Sequence, residues 1–420
     1  MENPKIRFKM DNGLGYPHWR SKSFEEVFSP LNNNTFSRDM LNYEKGTAKN
    51  IHYGDILTNY GAICDVSSDV IPFVNGNIAY EKYDCLQNGD VILADTAEDE
   101  TVGKAIELQG IKCETVISGL HTMACRPKQK YAPKYLGYLL NSPAFHNQLF
   151  PYMQGIKVTS IGRKNIASVK ISYPCPAEQE KIADFLSTVD EIIIQSEKEV
   201  QNLKQQKKAA MQKIFSQKVR FKREDGSEYP EWTSKQISEF ANCFAGATPS
   251  TKIKAYWENG TISWLSSGEV NKKQIFETDK KISQLGFEKC STKMIKPNSV
   301  VMALAGQGKT RGTVAITRVP ICTNQSLCAI ETDDTIVDDY LYQYLGTRYD
   351  DLRKISSGDG TRGGLNLNLI NNYFVSVPCL EEQQKIADFL STFDEAIDYA
   401  KQELEKWNEL KKGLLQQMFV

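Results

Sequence analysis

EQEKIADFLSTVDE (178–191) returns as EQQKIADFLSTFDE (382–395), with twelve of fourteen positions identical at an offset of 204 residues. Each copy follows a Pro-Cys pair, Pro174-Cys175 and Pro378-Cys379, and runs on into a long polar segment with no Gly or Pro for most of its length. A period this long is too great for a solenoid and signals a duplicated unit of domain plus helix. In the first copy Ile182, Leu186, Val189, Ile193, Ser196, Val200, Leu203, Lys207, Ala210 and Ile214 step alternately by four and three. That is an a/d heptad seam with polar interruptions at Ser196 and Lys207. The second seam keeps the register through Ile386, Leu390, Phe393, Ile397, Ala400, Leu404, Trp407, Lys411, Leu414 and Met418. In the first segment acids come early (Glu178, Glu180, Asp184) and lysines late (Lys204, Lys207, Lys208, Lys213), as the helix dipole favours. About 40 residues at ~1.5 Å rise make a rod roughly 60 Å long.

A second repeat sets the domain pattern. IRFKMDNGLGYPHW (6–19) and VRFKREDGSEYPEW (219–232) share seven of fourteen positions at an offset of 213, so the second globular unit is nine residues shorter than the first. The chain divides into a domain over 1–175, a helix over 176–217, a domain over 218–378 and a helix over 379–420. Strands are predicted at Asp55–Thr58, Asp90–Ala94, Lys170–Ser172, Thr261–Leu265, Val300–Leu304 and Thr313–Thr317, where β-type runs meet turn signals. Tyr135, Leu136, Leu139 and Leu140 have helical spacing within 133–150. The expected fold class is α+β: two pseudo-repeated mixed α/β domains separated by two long antiparallel helices forming a coiled coil. The pairing is antiparallel because the first helix delivers the chain to the second domain and the second must run back. Val420 is then expected near the first domain.

The totals exclude several classes. With 40% hydrophobic and 25% charged residues and a formal net charge of −1, the composition is that of a globular protein. No apolar run approaches a membrane span and the N-terminus has no signal-peptide centre, so no membrane partner and a cytoplasmic location are expected. Ten cysteines form no CxxC pair, and His18, His52, His121 and His146 share no metal-ligand spacing, so structural or surface roles are expected for them. No methyltransferase or nuclease signature is present, and no catalytic, cofactor-binding or metal-binding residue is assigned. Ala303–Thr310 (ALAGQGKT) fits a relaxed phosphate-loop pattern, but Arg311-Gly312 and a β-branched run follow where a helix is needed. A cationic strand-to-strand loop is the better reading.

Local charge is more informative than the total. Between Thr115 and Ala177 there is no acid, while Arg126, Lys128, Lys130, Lys134, Lys157, Arg163, Lys164 and Lys170 supply eight positive charges; Lys289–Ile330 holds six basic residues and no acid. In these regions polar and basic loops alternate with aromatics. One set is Tyr152, Gln154, Lys157, Thr159, Ser160, Arg163 and Lys164. The other is Thr248, Ser250, Thr251, Lys252, Tyr256, Ser266, Ser267, Gln307, Lys309, Arg311, Asn324, Gln325, Arg362 and Asn366. Arg, Lys, Asn and Gln read base edges, while Ser, Thr and Lys satisfy phosphates, so both sets are candidate DNA-binding residues. Glu178, Gln179, Lys181 and Asp184, with Glu382, Gln383, Lys385 and Asp388, are expected to face outward as two copies of one partner-docking surface, together with Asp190, Glu191 and their counterparts.

With these residues on the page, the chain resembles the specificity (S) subunit of type I restriction–modification systems over its whole length. The repeated helix starts carry the resemblance, as does GATPSTKIKAYWENGTISWLSSGEV (246–270), which is similar to the opening of such a recognition domain; the first domain lacks a comparable GxTPS stretch. The resemblance implies a non-catalytic subunit in a bacterial or archaeal cell, which binds double-stranded DNA at a split target, one half-site per domain. It also implies two methyltransferase (M) subunits and restriction/translocase (R) subunits as partners, with S-adenosylmethionine, ATP and Mg belonging to them. The competing readings are a coiled-coil NTPase using 303–310 and a coiled-coil spacer that does not bind DNA.

Overall fold

The computed structural model describes residues 4–420 except 77, 156–157, 307 and 357–363. Two compact units emerge: Met1–Lys198 with Lys401–Val420, and Glu199–Ala400. Each unit holds one globular domain and a stretch of both long helices, Pro176–Phe215 and Leu380–Gln417.

In the first unit a five-stranded sheet has the order Phe28–Pro30, Thr122–Pro127, Val91–Ala94, Ala105–Gln109, Ile63–Asp65. The last two strands pair parallel and the others antiparallel. A four-stranded sheet, built around the parallel pair Ala48–Ile51 and Thr115–Ser118, lies beside it in the same unit. The helix Tyr135–Leu140 is buried at every residue. It packs with Ile182, Leu186, Val189, Ile193, Leu414 and Met418 of the long helices into one core. Fully burying a large apolar side chain contributes about 1.5–3 kcal/mol, so this seam is what fastens the helices to the domain.

The second unit repeats the plan. Its five-stranded sheet runs Ala241–Ala245, Leu327–Thr332, Val300–Ala303, Val314–Thr317, Gln274–Ile275, with the same sense at each pairing. Strand Ile262–Leu265, parallel to Cys322–Thr323, stands where Ala48–Ile51 does in the first unit. The duplication thus survives in topology where the sequences have drifted.

No seam residue of either helix is exposed, and within each unit the helices run antiparallel. In the first unit residues 6 and 7 touch the start of one helix and the end of the other (Arg7–Glu178, and Ile6 N–H to Gln417 O), while Asp190 meets Lys411 farther along. Phe419 packs on Trp19 and Tyr135, which brings the C-terminus into the first unit as expected. The lysines that interrupt the seam are matched: Lys411 Nζ lies 2.6 Å from Asp190 and Lys207 Nζ 2.6 Å from Asp394. Tyr138 Oη donates to Asp190, and Gln343 Nε2 to Asp394.

One strand expectation fails. Asp55–Thr58 belongs to a short helix, Tyr53–Thr58, in which the His52 ring accepts the Gly54 N–H and Asp55 holds Arg38 at 2.8 Å. Ile56 of that run is fully buried in the core and Leu57 packs against it, and a short apolar run does not distinguish strand from helix by its periodicity. The remaining predicted strands form within a residue or so of their expected bounds.

Candidate nucleic-acid interface

Several of the expected DNA-binding residues of the second domain gather at one end of its five-stranded sheet. Strand Ala241–Ala245 leaves the sheet there into Gly246–Ser250, Val300–Ala303 leaves it into the loop beginning at Leu304, and Leu327–Thr332 enters it from Asn324–Ser326. Backbone bonds knit these loops together: Ala247 N–H to Thr323 O, Asn324 N–H to Leu265 O, and Leu304 N–H to Ser326 O. Thr248 Oγ1 donates to Gln325 at 2.7 Å. Trp257 and Trp264, 5.1 Å apart edge to face, stiffen the base of the loop by donating to the Ser250 and Ala247 carbonyls. Thr248, Ser250, Thr251, Lys252, Lys309, Gln325 and Asn366 are exposed.

Other candidates are engaged in structure. Ser266 forms a capping box with the buried Glu269, so its hydroxyl is committed to the turn Ser267–Lys272, and Ser267 is half-buried. Tyr256 is half-buried in the turn Lys254–Tyr256, against Gly286. Asn366 caps the helix Leu367–Asn371 through the Leu369 N–H. Arg311 is only 7% exposed, which corrects its assignment to DNA: it faces into the domain. Lys157, Gln307 and Arg362 lie outside the described residues.

The phosphate-loop pattern at 303–310 resolves as the connection between antiparallel strands Val300–Ala303 and Val314–Thr317. No helix follows it, so the stacked amides that hold a nucleotide phosphate are lacking.

In the first domain the same sheet end carries Leu31–Asn34, Gly119–His121 and Asp95–Ala97. The segment Thr159–Ser160 pairs antiparallel with Thr96–Ala97, and Gln154 bridges to Ser160, which brings the expected Gln154, Thr159 and Ser160 to that edge. Arg163 is exposed yet held in place: Nη2 donates to Asn33 Oδ1 at 2.8 Å, and Asn33 Nδ2 donates in turn to Gly119 O at 3.2 Å. Lys164 is exposed, whereas Tyr152 is half-buried against the core. Asn33, half-buried beside Arg163, is absent from the expected set, although the run Asn32-Asn33-Asn34 after a short strand is a signal for it; Asn34 is buried and bonds to Asn50 and Ser118. The sheet end also receives the exposed acids Glu98, Asp99 and Glu100, from a stretch outside the acid-free segment.

The repeated helix starts overturn a premise. Glu178 and Glu382 are 0% exposed, Gln179 2% and Gln383 1%, so these four residues do not face outward. Glu178 accepts Arg7 at 2.7 and 2.9 Å; Glu382 accepts Arg220 at 2.9 and 3.2 Å and Trp232 Nε1 at 3.0 Å. Arg7 also donates to the carbonyls of Tyr16 and Pro17, and Arg220 to those of Tyr229 and Pro230. Gln179 and Gln383 each donate to the proline carbonyl five residues back and accept a backbone N–H, from Ala132 and Val337 respectively. Lys181 and Lys385 donate to the Lys9 and Lys222 carbonyls, and Phe8–Phe185 and Phe221–Phe389 form matching edge-to-face pairs. The two sequence repeats, 213 and 204 residues apart, are thus the halves of one internal staple built twice. Asp190 is half-buried, while Asp184, Phe185, Thr188, Glu191 and their counterparts Asp388, Phe389, Thr392 and Glu395 are exposed.

These features define a duplicated α+β protein with one polar loop face per domain, each fastened to paired helices by the same staple. A family profile for the type I restriction modification DNA specificity domain matches residues 17–205 and again 229–409. The chain therefore belongs to that family, the specificity subunits of type I restriction–modification systems. It is 30% identical over 211 residues to the type I restriction enzyme MjaIX specificity subunit of Methanocaldococcus jannaschii, a match over 49% of this chain and 48% of that one. The chain thus spans about half the length of that relative. A putative MjaX specificity subunit of the same organism is 23% identical, over 94% of this chain and 92% of its own. The fold is similar to that of the S subunit from M. genitalium, with a TM-score of 0.58 at 14% identity over 100% and 99% of the two chains.

Proposed function

We propose that this specificity subunit reads a split double-stranded DNA target, with one half-site taken by the loop face of each domain. The observation that carries the reading is the equivalence of the two faces: one sheet topology, built twice, delivers polar loops to the same sheet end in each domain. Side chains such as Arg163, held by Asn33, and Gln325, held by Thr248, enter binding already ordered. An ordered donor loses less entropy when it meets a base edge. Lys309, Lys252 and Lys164 supply the charge that phosphates require.

The subunit is non-catalytic in this reading. Two M subunits and the R subunits bring S-adenosylmethionine, ATP and Mg, and the complex works in the cytoplasm. Among the described residues no helix is long and apolar enough to cross a membrane. M-subunit docking moves from the buried glutamates to the exposed face of each helix start, Lys181-Asp184-Phe185-Thr188-Glu191 and Lys385-Asp388-Phe389-Thr392-Glu395. Two identical exposed faces on one chain suit two copies of one partner.

Co-expression with the cognate M subunit and methylation of a randomised target library test the reading. Arg163→Ala should relax discrimination at one half-site by about tenfold, the lower part of the range for a bidentate base contact, and Lys309→Ala should weaken only the other half. Equal effects on both halves, or none, would count against it.

A further inference from the structure

The loop joining the third and fourth strands of each five-stranded sheet is closed in the same way in both domains. Gly103, at φ +89°, donates to Ala94 O, and Gly312, at φ +83°, donates to Ala303 O. Ala94 and Ala303 donate back across the hairpin to Lys104 O and Thr313 O. Each glycine lies against the helical segment behind it. A Cβ on Gly103 would stand 2.5 Å from Leu149, and one on Gly312 would stand 3.6 Å from Leu352. That segment also grips the hairpin by its carbonyls. In the first domain His146 Nε2 lies 2.9 Å from Val102 O. In the second, Tyr349 Oη donates to Lys309 O at 3.0 Å and Arg353 Nη1 to Gly308 O at 2.8 Å, while Arg353 and Tyr349 also touch each other at 3.2 Å.

We infer that Tyr349 and Arg353 are positioning residues for DNA reading by the second domain: they hold Gly308 and Lys309 and, through the bond from Leu304 to Ser326, the loop carrying Gln325, in the geometry at which Lys309 meets phosphate and Gln325 a base edge. The inference rests on the proposed DNA-reading function and goes beyond it by naming two residues that act through the hairpin they hold. Three observations carry it. The gripped carbonyls, Gly308 and Lys309, flank or belong to the exposed basic residue, so Lys309 cannot swing away without breaking both bonds. Leu304 N–H bonds to Ser326 O, which ties the hairpin to the loop that carries Gln325. A cavity of about 360 Å³, lined in part by Lys309, Gly312, Tyr349 and Lys273, lies beside the hairpin, so a released tip has room to collapse. The first-domain hairpin has the same closure but an exposed acidic tip, Glu98-Asp99-Glu100, which phosphate repels; the inference is therefore confined to the second domain.

The test uses the full chain assembled with its M subunit and methylation of a library randomised in both half-sites. Arg353→Ala should raise methylation at mismatched second-domain half-sites about tenfold relative to the preferred one, and Tyr349→Phe about threefold, as loss of one or two hydrogen bonds implies. Arg353→Lys should restore part of the loss, and the other half-site should be unaffected in all three. Tyr349→Phe keeps the ring and its packing, so it reports even if Arg353→Ala fails to assemble. Unchanged discrimination at both half-sites in an assembled complex, or equal loss at both, overturns the inference. A wild-type complex that methylates without sequence preference overturns the DNA-reading function itself, and the inference with it.

Discussion

Replacing Glu382 with alanine separates an internal staple from an outward docking surface. The Glu382 side chain is 0% exposed and Arg220 only 13%; the carboxylate takes two guanidinium bonds and the Trp232 indole N–H. Glu382→Ala leaves a guanidinium with two backbone carbonyls and Glu231 but without its buried counter-charge. Breaking one side of such a pair costs about 3–5 kcal/mol. With a urea m-value of ~2 kcal/mol/M for a unit of this size, the transition of the second unit should fall by about 1.5–2.5 M. Urea titration with hydrogen exchange on second-unit peptides reads this separately from the first unit, as a two-unit chain requires. Glu382→Gln keeps the size and one acceptor oxygen and should lose about half as much. The converse result, a midpoint within ~0.3 M of wild type together with loss of M-subunit binding, would refute the staple and restore the docking assignment.

Two further outcomes follow from the same geometry. Lys411→Met leaves the half-buried Asp190 with the Tyr138 hydroxyl but without its counter-charge and should cost the first unit about 1–3 kcal/mol, while adding Asp190→Leu should recover part of it; additive losses in that double-mutant cycle would show that the two side chains do not interact. In the first unit burial pushes the Glu107 carboxyl up to about 7 from an ordinary 4.5, against the N–H donors of Lys134 and Gly137. The folded state therefore binds the proton more tightly, and first-unit stability should decline by about 3 kcal/mol as pH rises from ~4.5 to ~7, then level off. A Glu107→Gln variant should lack that slope, and a slope unchanged by the substitution would assign it to other groups.

The helices were legible because their seam is periodic and written twice: every seam position is buried or half-buried. The direction of Glu178 and Gln179 was legible too, in hindsight. They precede Ile182 by four and three residues, which puts them on the seam's own face, and identity between copies is no sign of exposure. Identity is equally what a repeated buried network demands, since each carboxylate must meet the same arginine. Lys181 and Asp184 fall off that face, Lys181 half-buried and Asp184 exposed.

The loop faces were only half legible. Acid-free stretches located Lys309, Arg163 and Gln325, but the hairpin between Val91–Ala94 and Ala105–Gln109 carries Glu98, Asp99 and Glu100 to the first face, and the pairing of residues 96–97 with 159–160 sets the basic segment beside them. Arg311 looks like its neighbour Lys309 in sequence, yet it lies in the turn before strand Val314–Thr317 and is only 7% exposed. Asp55–Thr58 formed a helix because His52 caps it and Arg38 holds Asp55, both outside the run itself.

The central claim is that each domain reads its own half of one split target. Sequencing the methylated sites produced by this chain with its M subunit tests that directly. The account predicts two short fixed half-sites separated by a constant length of unspecified base pairs. A single contiguous target, or methylation without sequence preference, would contradict it.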